Sequence, residues 1–137
     1  MKTLSVLLLS ALLACTKDNV TPTAPVSDVF DPTKATLLKQ GTLMGIGHTA
    51  SGQVSIYDDK GTKVILLDPY SSQSGPDLKV YLSKDINASE YINVGKLKSI
   101  TGKQSYMVPG NPDISQYNYV HIWCEQFTVV FGRAEVK

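Results

Sequence analysis

From Gly41 onward the sequence alternates between apolar and polar residues, and this period of two constrains the fold more than any other feature. Stretches rich in Val, Ile and Tyr are broken by Gly, Pro, Asn or Asp at intervals of about ten residues, as in proteins built from short strands and tight turns. No long segment with a helical period of 3.6 and no internal repeat is visible in this region. We therefore predict a single all-β domain, an antiparallel β-sandwich or barrel.

The first hairpin that this alternation predicts pairs Ile56 with Val64 and Val54 with Leu66. The register leaves Asp59-Lys60-Gly61 as a three-residue loop, whose glycine supplies the positive φ that such loops need. All four apolar side chains would then lie on one face. Farther along the chain, Leu78 to Ser83 alternates in the way expected of a half-buried strand.

The second predicted hairpin spans Tyr119 to Phe131 and determines the direction of Cys124. Apolar residues stand at even positions up to Cys124 and at odd positions from Phe127, so the phase changes at Glu125-Gln126. A two-residue turn there would place six residues on one face: Val120, Ile122, Cys124, Phe127, Val129 and Phe131. Since Glu-Gln is poor turn chemistry, a bulge that bends one continuous strand is the alternative. Both interpretations direct Cys124 toward the apolar side.

The N-terminus has the order of a bacterial secretory signal. Lys2 precedes the apolar run Leu4 to Leu13, and Ala14 stands before Cys15. The run is well short of the ~20 residues that a membrane-spanning helix needs. Leu12-Leu13-Ala14-Cys15 resembles a lipobox, in which the cysteine becomes the first residue of the mature protein and carries a diacylglyceryl group. An ordinary cleaved signal with a chance cysteine is the alternative.

These features divide the chain into three predicted parts. Residues 1–14 form a lipoprotein signal peptide, residues 15–37 an acylated N-terminus with a flexible polar tether, and residues 38–137 the β domain. Thr16 after the cysteine, rather than Asp, resembles the sorting signal for the outer membrane of Gram-negative bacteria. We therefore expect a lipid-anchored protein of the cell envelope, with the membrane as its partner through the anchor.

The charge balance argues against nucleic acid as a partner. The chain has 13 basic and 12 acidic residues, and removal of Lys2 with the signal leaves 12 against 12. No basic patch remains to bind phosphates.

Cys124 is the sharpest candidate for chemistry. The chain has two cysteines, and an acylated Cys15 cannot form a disulfide with the other. A lone thiol in an oxidising compartment calls for burial, for ligation of a metal or cofactor, or for a redox role. An inward-facing thiol should react slowly as a nucleophile, so the alternative interpretation is that Cys124 is only a small buried hydrophobe.

His48 and His121 are the only histidines, and with Cys124 they could in principle ligate a metal or a haem iron. His121 is an odd number of residues from Cys124 and should point to the opposite face, which leaves His48. The alternative is that neither histidine is a ligand, in which case His48 is a loop-end histidine and His121 is a solvated strand residue.

The usual catalytic patterns are absent from the sequence. It has no glycine-rich phosphate loop, no Gly-x-Ser-x-Gly, no His-Glu-x-x-His and no Cys-x-x-Cys, and the last absence also excludes a c-type haem. We assign no catalytic residue, and a thiol enzyme is the least favoured class. Seven tyrosines and Trp123 could form a platform for sugars, but their scatter along the chain defines no cluster.

Several short motifs stand in a recognisable order. The earliest motif consists of His48 and Gly52. The central motif consists of Gly75-Pro76-Asp77 and Val80-Tyr81-Leu82. The closing motif consists of Tyr117, Val120, Ile122-Trp123-Cys124, Phe127, Val129, Phe131-Gly132 and Ala134. On these motifs, residues from about 38 to 136 resemble the DM-thirteen (DM13) family, the electron transfer DM domain. Leu43 departs from the family, which often has an aromatic residue there.

The resemblance implies an all-β extracytoplasmic domain that takes part in electron transfer through its cysteine, as a bare thiol or as a ligand to a prosthetic group such as haem. That role maps onto Cys124, with His48 a distant second candidate. The family's neighbouring DOMON domains in animals have no counterpart here, so the domain must either act alone or find a partner, for which a protein redox partner is one candidate. The rival class is a non-catalytic binding or structural module of the envelope, in which Cys124 only packs and exposed aromatic residues contact a glycan or protein.

Overall fold

The computed structural model describes residues 19–137, so the predicted signal peptide and Cys15 lie outside the described residues. The strands of this part are β1 (Val26–Ser27), β2 (Thr36–Gly45), β3 (Ala50–Asp59), β4 (Thr62–Ser72), β5 (Leu78–Ser83), β6 (Tyr91–Lys96), β7 (Gly102–Met107), β8 (Tyr119–Cys124) and β9 (Val129–Glu135). Single 3-10 turns lie at Pro32–Lys34 and Ile114–Gln116. Within residues 19–137, no helix has the length and apolar character to cross a bilayer.

The strands form one sheet in the order β1-β7-β4-β3-β2-β9-β8-β5-β6. Neighbouring strands are antiparallel, except that β1 pairs with β7 in parallel. The sheet curls into a half-barrel, which encloses the core on its inner face. The prediction of an all-β antiparallel fold is confirmed, and one curled sheet is the form that it takes.

The inner face is built from alternate residues of the strands, as the period of two requires. Its least exposed members include Leu43, Val54, Ile56, Ile65, Leu67, Leu78, Val80, Leu82, Val120, Ile122 and Cys124. Full burial of one such aliphatic side chain is worth roughly 1.5–3 kcal/mol. Strand β5 is buried on both faces, so the prediction of a half-buried strand was wrong. Aromatic side chains of neighbouring strands pack over its outer face.

The β3–β4 hairpin has a register one residue away from the predicted one. Ile56 pairs with Ile65, and Asp59 pairs with Thr62, which leaves a two-residue turn at Lys60-Gly61. Both turn residues have positive φ, 52° and 93°, as a type I′ turn requires, and Asp58 accepts a hydrogen bond from the Gly61 amide at 2.8 Å. The shift places the Val64 and Leu66 side chains on the face opposite to Ile65 and Leu67. A single face for all four predicted residues was therefore wrong.

The β8–β9 hairpin exists, but its turn is longer than the predicted two residues. Cys124 pairs with Val129, and residues 125–128 form the turn. Phe127 lies in this turn with 62% of its surface exposed, so its predicted place on the apolar face was wrong. A bulge at Phe131 shifts the register of β9, and this ring still reaches the core.

Part of the stretch predicted as a tether lies along the sheet. Val26 pairs with Gly102 at the edge of β7, and the backbone amide of Asp28 donates to the Lys103 carbonyl at 2.9 Å. The Asp28 carboxylate accepts hydrogen bonds from the amide and the hydroxyl of Ser105, both at 3.0 Å. These contacts satisfy backbone groups that an edge strand leaves unpaired. A two-residue strand has no period of its own and therefore gives no signal in the sequence.

Candidate functional site

Cys124 is the last residue of β8 and has no exposed surface. It is a free cysteine within the described part of the chain. Its side chain shares the inner face with Val120 and Ile122, and Leu78 is its partner across the strands. The prediction that Cys124 points to the apolar side is confirmed. Its Sγ donates a hydrogen bond to the Pro76 carbonyl oxygen at 3.1 Å, which is a polar contact in otherwise apolar surroundings.

Three residues of the loop between β4 and β5, Gly75-Pro76-Asp77, cover the thiol, and we call them the thiol cover. The amide of Glu125, which follows the cysteine, donates to the Asp77 carbonyl at 3.2 Å. From the other side, the Thr21 amide donates to the Gly75 carbonyl at 3.3 Å, and the Asp77 amide donates to the Asn19 carbonyl at 2.7 Å. Backbone hydrogen bonds from the turn after β8 and from the N-terminal segment therefore hold the cover closed.

His48 lies in the loop between β2 and β3, and its ring stacks on Phe131 with centroids 3.7 Å apart. Its Nδ1 lies 3.2 Å from the Ile46 carbonyl oxygen. The Phe131 ring in turn packs against Gly75 of the thiol cover. Phe131 and the thiol cover thus lie between His48 and Cys124 in this chain of contacts.

The arrangement around the thiol does not fit a haem or a metal ion held by Cys124. A haem iron needs an open face beside its axial ligand, whereas this sulfur is fully enclosed. Among residues 19–137, no group of three or more His, Cys, Asp or Glu side chains converges as a metal site. We therefore assign no step to a prosthetic group.

His121 lies on the face opposite to Cys124, as strand parity predicts, but the prediction that it is solvated was wrong. Only 1% of its surface is exposed, and neither ring nitrogen has a hydrogen-bond partner among the described residues. The Arg133 guanidinium, from the paired strand, donates to the Ile86 carbonyl in the loop after β5, which folds over this face. Burial lowers the pKa of His121 to about 4. The charge of Arg133 also lowers this pKa, whereas Asp85 raises it. The ring is therefore neutral near pH 7.

Five rings that are scattered in the sequence form a continuous group on the outer face, which we call the aromatic row. Tyr91 stacks on Tyr81 with centroids 4.1 Å apart and planes 13° apart, and Tyr81 lies 5.7 Å from Trp123 at 17°. His121 follows at 6.5 Å from Trp123, and Tyr119 at 6.2 Å from His121. We expected no aromatic cluster from the sequence. The shared parity of residues 119, 121 and 123 was the one available signal.

A cleft of about 450 Å³ opens at the end of the aromatic row that contains Tyr91. Its lining residues are Tyr81, Ala88, Tyr91, Trp123, Glu125 and Thr128. The Tyr81 hydroxyl donates to Glu125 Oε1 at 2.6 Å, and the Asn93 amide donates to the same oxygen at 3.0 Å. Lys79 forms ion pairs with Glu125, at 3.3 Å, and with Asp77. Burial, together with the hydrogen bond to Glu125, raises the pKa of Tyr81.

Trp123 and Glu125 flank Cys124 in the sequence, so the enclosed thiol and the open cleft lie on opposite faces of the same short segment. A family model described as Electron transfer DM13 matches residues 42–136, a range that includes the thiol cover, the aromatic row and Cys124. No curated protein and no solved structure matches the chain.

Proposed function

Because the chain belongs to the Electron transfer DM13 family, we propose that it is an electron-transfer domain of the cell envelope whose redox group is the Cys124 thiol. Cys124 is the only cysteine within the matched residues. The observation that supports this role best is its hydrogen bond to Pro76, because it joins the sulfur to a loop rather than to a strand. Movement of the thiol cover alone would bring the sulfur to solvent without unfolding the sheet.

The proposed step is thiol–disulfide exchange with a protein partner that carries a disulfide. When the cover opens, Cys124 loses its proton to water, and its sulfur attacks the partner's disulfide. A mixed disulfide forms, and the second partner sulfur leaves as a thiolate. The thiolate of a small-molecule thiol then attacks the partner sulfur of the mixed disulfide, which forms a disulfide between that molecule and the partner, and Cys124 leaves as a thiolate that regains a proton from water.

The test is formation of a mixed disulfide with oxidised glutathione by the folded protein, followed by mass spectrometry. We expect the native protein to gain one glutathione slowly and Cys124→Ser to gain none. Serine is a suitable control because its hydroxyl also donates to the Pro76 carbonyl. A native protein that stays unmodified until denaturant unfolds it would contradict the proposal. A Soret band after haem addition that Cys124→Ser lacks would also contradict it, in favour of ligation.

We propose further that a lipid on Cys15 holds this domain at the membrane, in the outer membrane of a Gram-negative envelope. The support is the sequence Leu12-Leu13-Ala14-Cys15 at the end of a short apolar run. Two or more acyl chains hold a protein stably where one chain holds it marginally. Cys15→Ala should move the protein from the membrane fraction to the soluble fraction, whereas Cys124→Ser should stay with the membrane. Membrane retention of Cys15→Ala would refute the anchor.

The cleft beside Trp123 favours a second candidate function, binding of a neutral glycan. Tyr91 is 48% exposed and lines the cleft, and Glu125 and Asn93 place polar groups in the same region. Sugar rings stack on such rings and hydrogen-bond to such groups. Since Trp123 is the only tryptophan, its fluorescence reports directly on the cleft. A saturable change on titration with neutral oligosaccharides would support this function, and an unchanged spectrum would exclude it for those sugars.

A further inference from the structure

We propose that Tyr81 and Glu125 form a second redox centre, which exchanges single electrons with the surface through Tyr91 and passes a proton between the phenol and the carboxylate. This centre lies on the outer face and does not depend on opening of the thiol cover. It goes beyond the thiol role of Cys124.

The proton acceptor is already in place. Tyr81 is 3% exposed, and its hydroxyl donates to Glu125 Oε1 at 2.6 Å, the short distance of a charge-assisted hydrogen bond. Asn93 and Lys79 hold the carboxylate from two other directions, at 3.0 and 3.3 Å. Proton transfer along this contact needs no movement of heavy atoms.

The path for the electron from Tyr81 to the protein surface is also short. The Tyr91 ring stacks on the Tyr81 ring with centroids 4.1 Å apart, and almost half of Tyr91 is exposed at the edge strand β6. One ring-to-ring contact therefore separates the buried phenol from a surface where a redox partner can dock. On its other side Tyr81 meets Trp123, the residue that precedes Cys124 in the sequence.

The proposed step moves one electron and one proton. A one-electron, outer-sphere oxidant at Tyr91 takes one electron from Tyr81 and is itself reduced by one electron. The phenolic proton moves to Glu125 Oε1, which leaves a neutral tyrosyl radical and a protonated carboxyl group. An outer-sphere reductant returns the electron, and the proton moves back to the phenol.

Burial of Tyr81 couples the transfer of the electron to the transfer of the proton. The raised pKa of Tyr81 keeps its phenol protonated near neutral pH. Removal of the electron alone would leave a cationic ring in a desolvated place, which is strongly unfavourable. Transfer of the proton to the adjacent carboxylate avoids that charge.

A second buried tyrosine provides the matched comparison. Tyr106 is 6% exposed and its hydroxyl also donates at 2.6 Å, but the acceptor is the amide oxygen of Gln104, which is a much weaker base than a carboxylate. Burial and a short hydrogen bond are therefore common to both residues, whereas the carboxylate and the stacked surface ring belong to Tyr81.

The experiment is one-electron oxidation of the purified protein with photogenerated tris(bipyridine)ruthenium(III), with the radical followed by transient absorption and electron paramagnetic resonance. We expect wild type and Tyr106→Phe to form the same neutral tyrosyl radical, and Tyr81→Phe to lose it. Tyr91→Leu should slow its formation, because the stacked contact to the surface is gone. Equal radical yield and spectrum in Tyr81→Phe and wild type would overturn the proposal.

The role of Glu125 has its own readout. In Glu125→Gln the phenol keeps a hydrogen-bond acceptor but loses the base, so radical formation should become slower, and Glu125→Asp should restore part of the rate. An unchanged rate in Glu125→Gln would overturn the proton transfer. Cys124→Ser is expected to form the wild-type radical, because the oxidant is added from outside. This result keeps the test of the Tyr81 centre separate from the test of the thiol.

Discussion

The Phe131 ring fills the space that a side chain on Gly75 would need. A Cβ at Gly75 would lie 2.6 Å from Phe131 Cζ and 3.2 Å from a methyl carbon of Leu78. The ring has little room to turn away, because His48 stacks on its other face. Since Gly75 begins the thiol cover, the packing of this ring and the enclosure of Cys124 depend on the same contact.

Gly75→Ala should therefore loosen the thiol cover. The added methyl group overpacks the site, and we expect a loss of about 1–3 kcal/mol in the free energy of unfolding. Displacement of the cover should also accelerate labelling of Cys124 by a thiol reagent under native conditions. Ser74→Ala is the control, because Ser74 is exposed and adjacent. Wild-type stability and a wild-type labelling rate in Gly75→Ala would show that the cover is not held by this contact.

The turn of the β3–β4 hairpin can be improved at Lys60. Its φ of 52° suits asparagine better than lysine, and Asn-Gly is the preferred pair for a type I′ turn. Lys60→Asn should raise the free energy of unfolding by about 0.5–1 kcal/mol, as other turn optimisations do. Gly61→Ala should act in the opposite direction, because an L residue is strained at a φ of 93°. Thermal unfolding measures both, and a destabilised Lys60→Asn would contradict the turn assignment.

The parts of the fold that the sequence predicted are those set by local alternation. The direction of Cys124 follows from the period of β8, which needs no knowledge of its neighbours. The register of β3 against β4 was missed by one residue because it depends on the turn, and Lys-Gly is not the pair by which such turns are recognised. The correct register could be predicted only from the backbone angles of Lys60 and Gly61, because these angles define the two-residue turn.

The parts that could not be predicted depend on contacts between distant residues. The partners Tyr81 and Glu125 are 44 positions apart, and their meeting requires the register of β5 against β8. His121 was expected in solvent because its strand alternates, yet the loop after β5 covers the outer face. Alternation shows which residues share a face but not whether another segment covers it.

Asp28 should be the main attachment of the N-terminal segment to β7. Burial alone would raise its pKa, but hydrogen bonds from Lys98 and from the amide and hydroxyl of Ser105 outweigh burial and lower it. Asp28→Asn removes the charge from this network, and we expect a loss of about 1–3 kcal/mol. Hydrogen exchange should show faster opening of residues 26–28, whereas Asp31→Asn, in an exposed turn, should change little there. Unchanged exchange in Asp28→Asn would mean that the backbone pairs with β7 suffice.

The stability of the fold should depend on pH through His121. Well above pH 6.5, the pKa of a free imidazole, the ring is neutral in both the folded and the unfolded chain, so it contributes no pH dependence. Between that pH and about 4, the unfolded chain binds a proton that the buried ring does not, because burial holds its pKa near 4. The free energy of unfolding should therefore fall as the pH falls through this range, by up to about 3 kcal/mol. The carboxylates lose their native interactions only at lower pH, since their unfolded pKa values are near 4.

Urea titrations at several pH values measure this slope, and His121→Gln should flatten it because glutamine does not titrate. His48→Gln is the matched control: it removes the other histidine, leaves His121 buried beneath the loop after β5, and should keep the slope. A wild-type slope in His121→Gln would assign the acid sensitivity to other groups. A flat profile in wild type would mean that the covering loop opens readily enough to admit water and a proton to the ring.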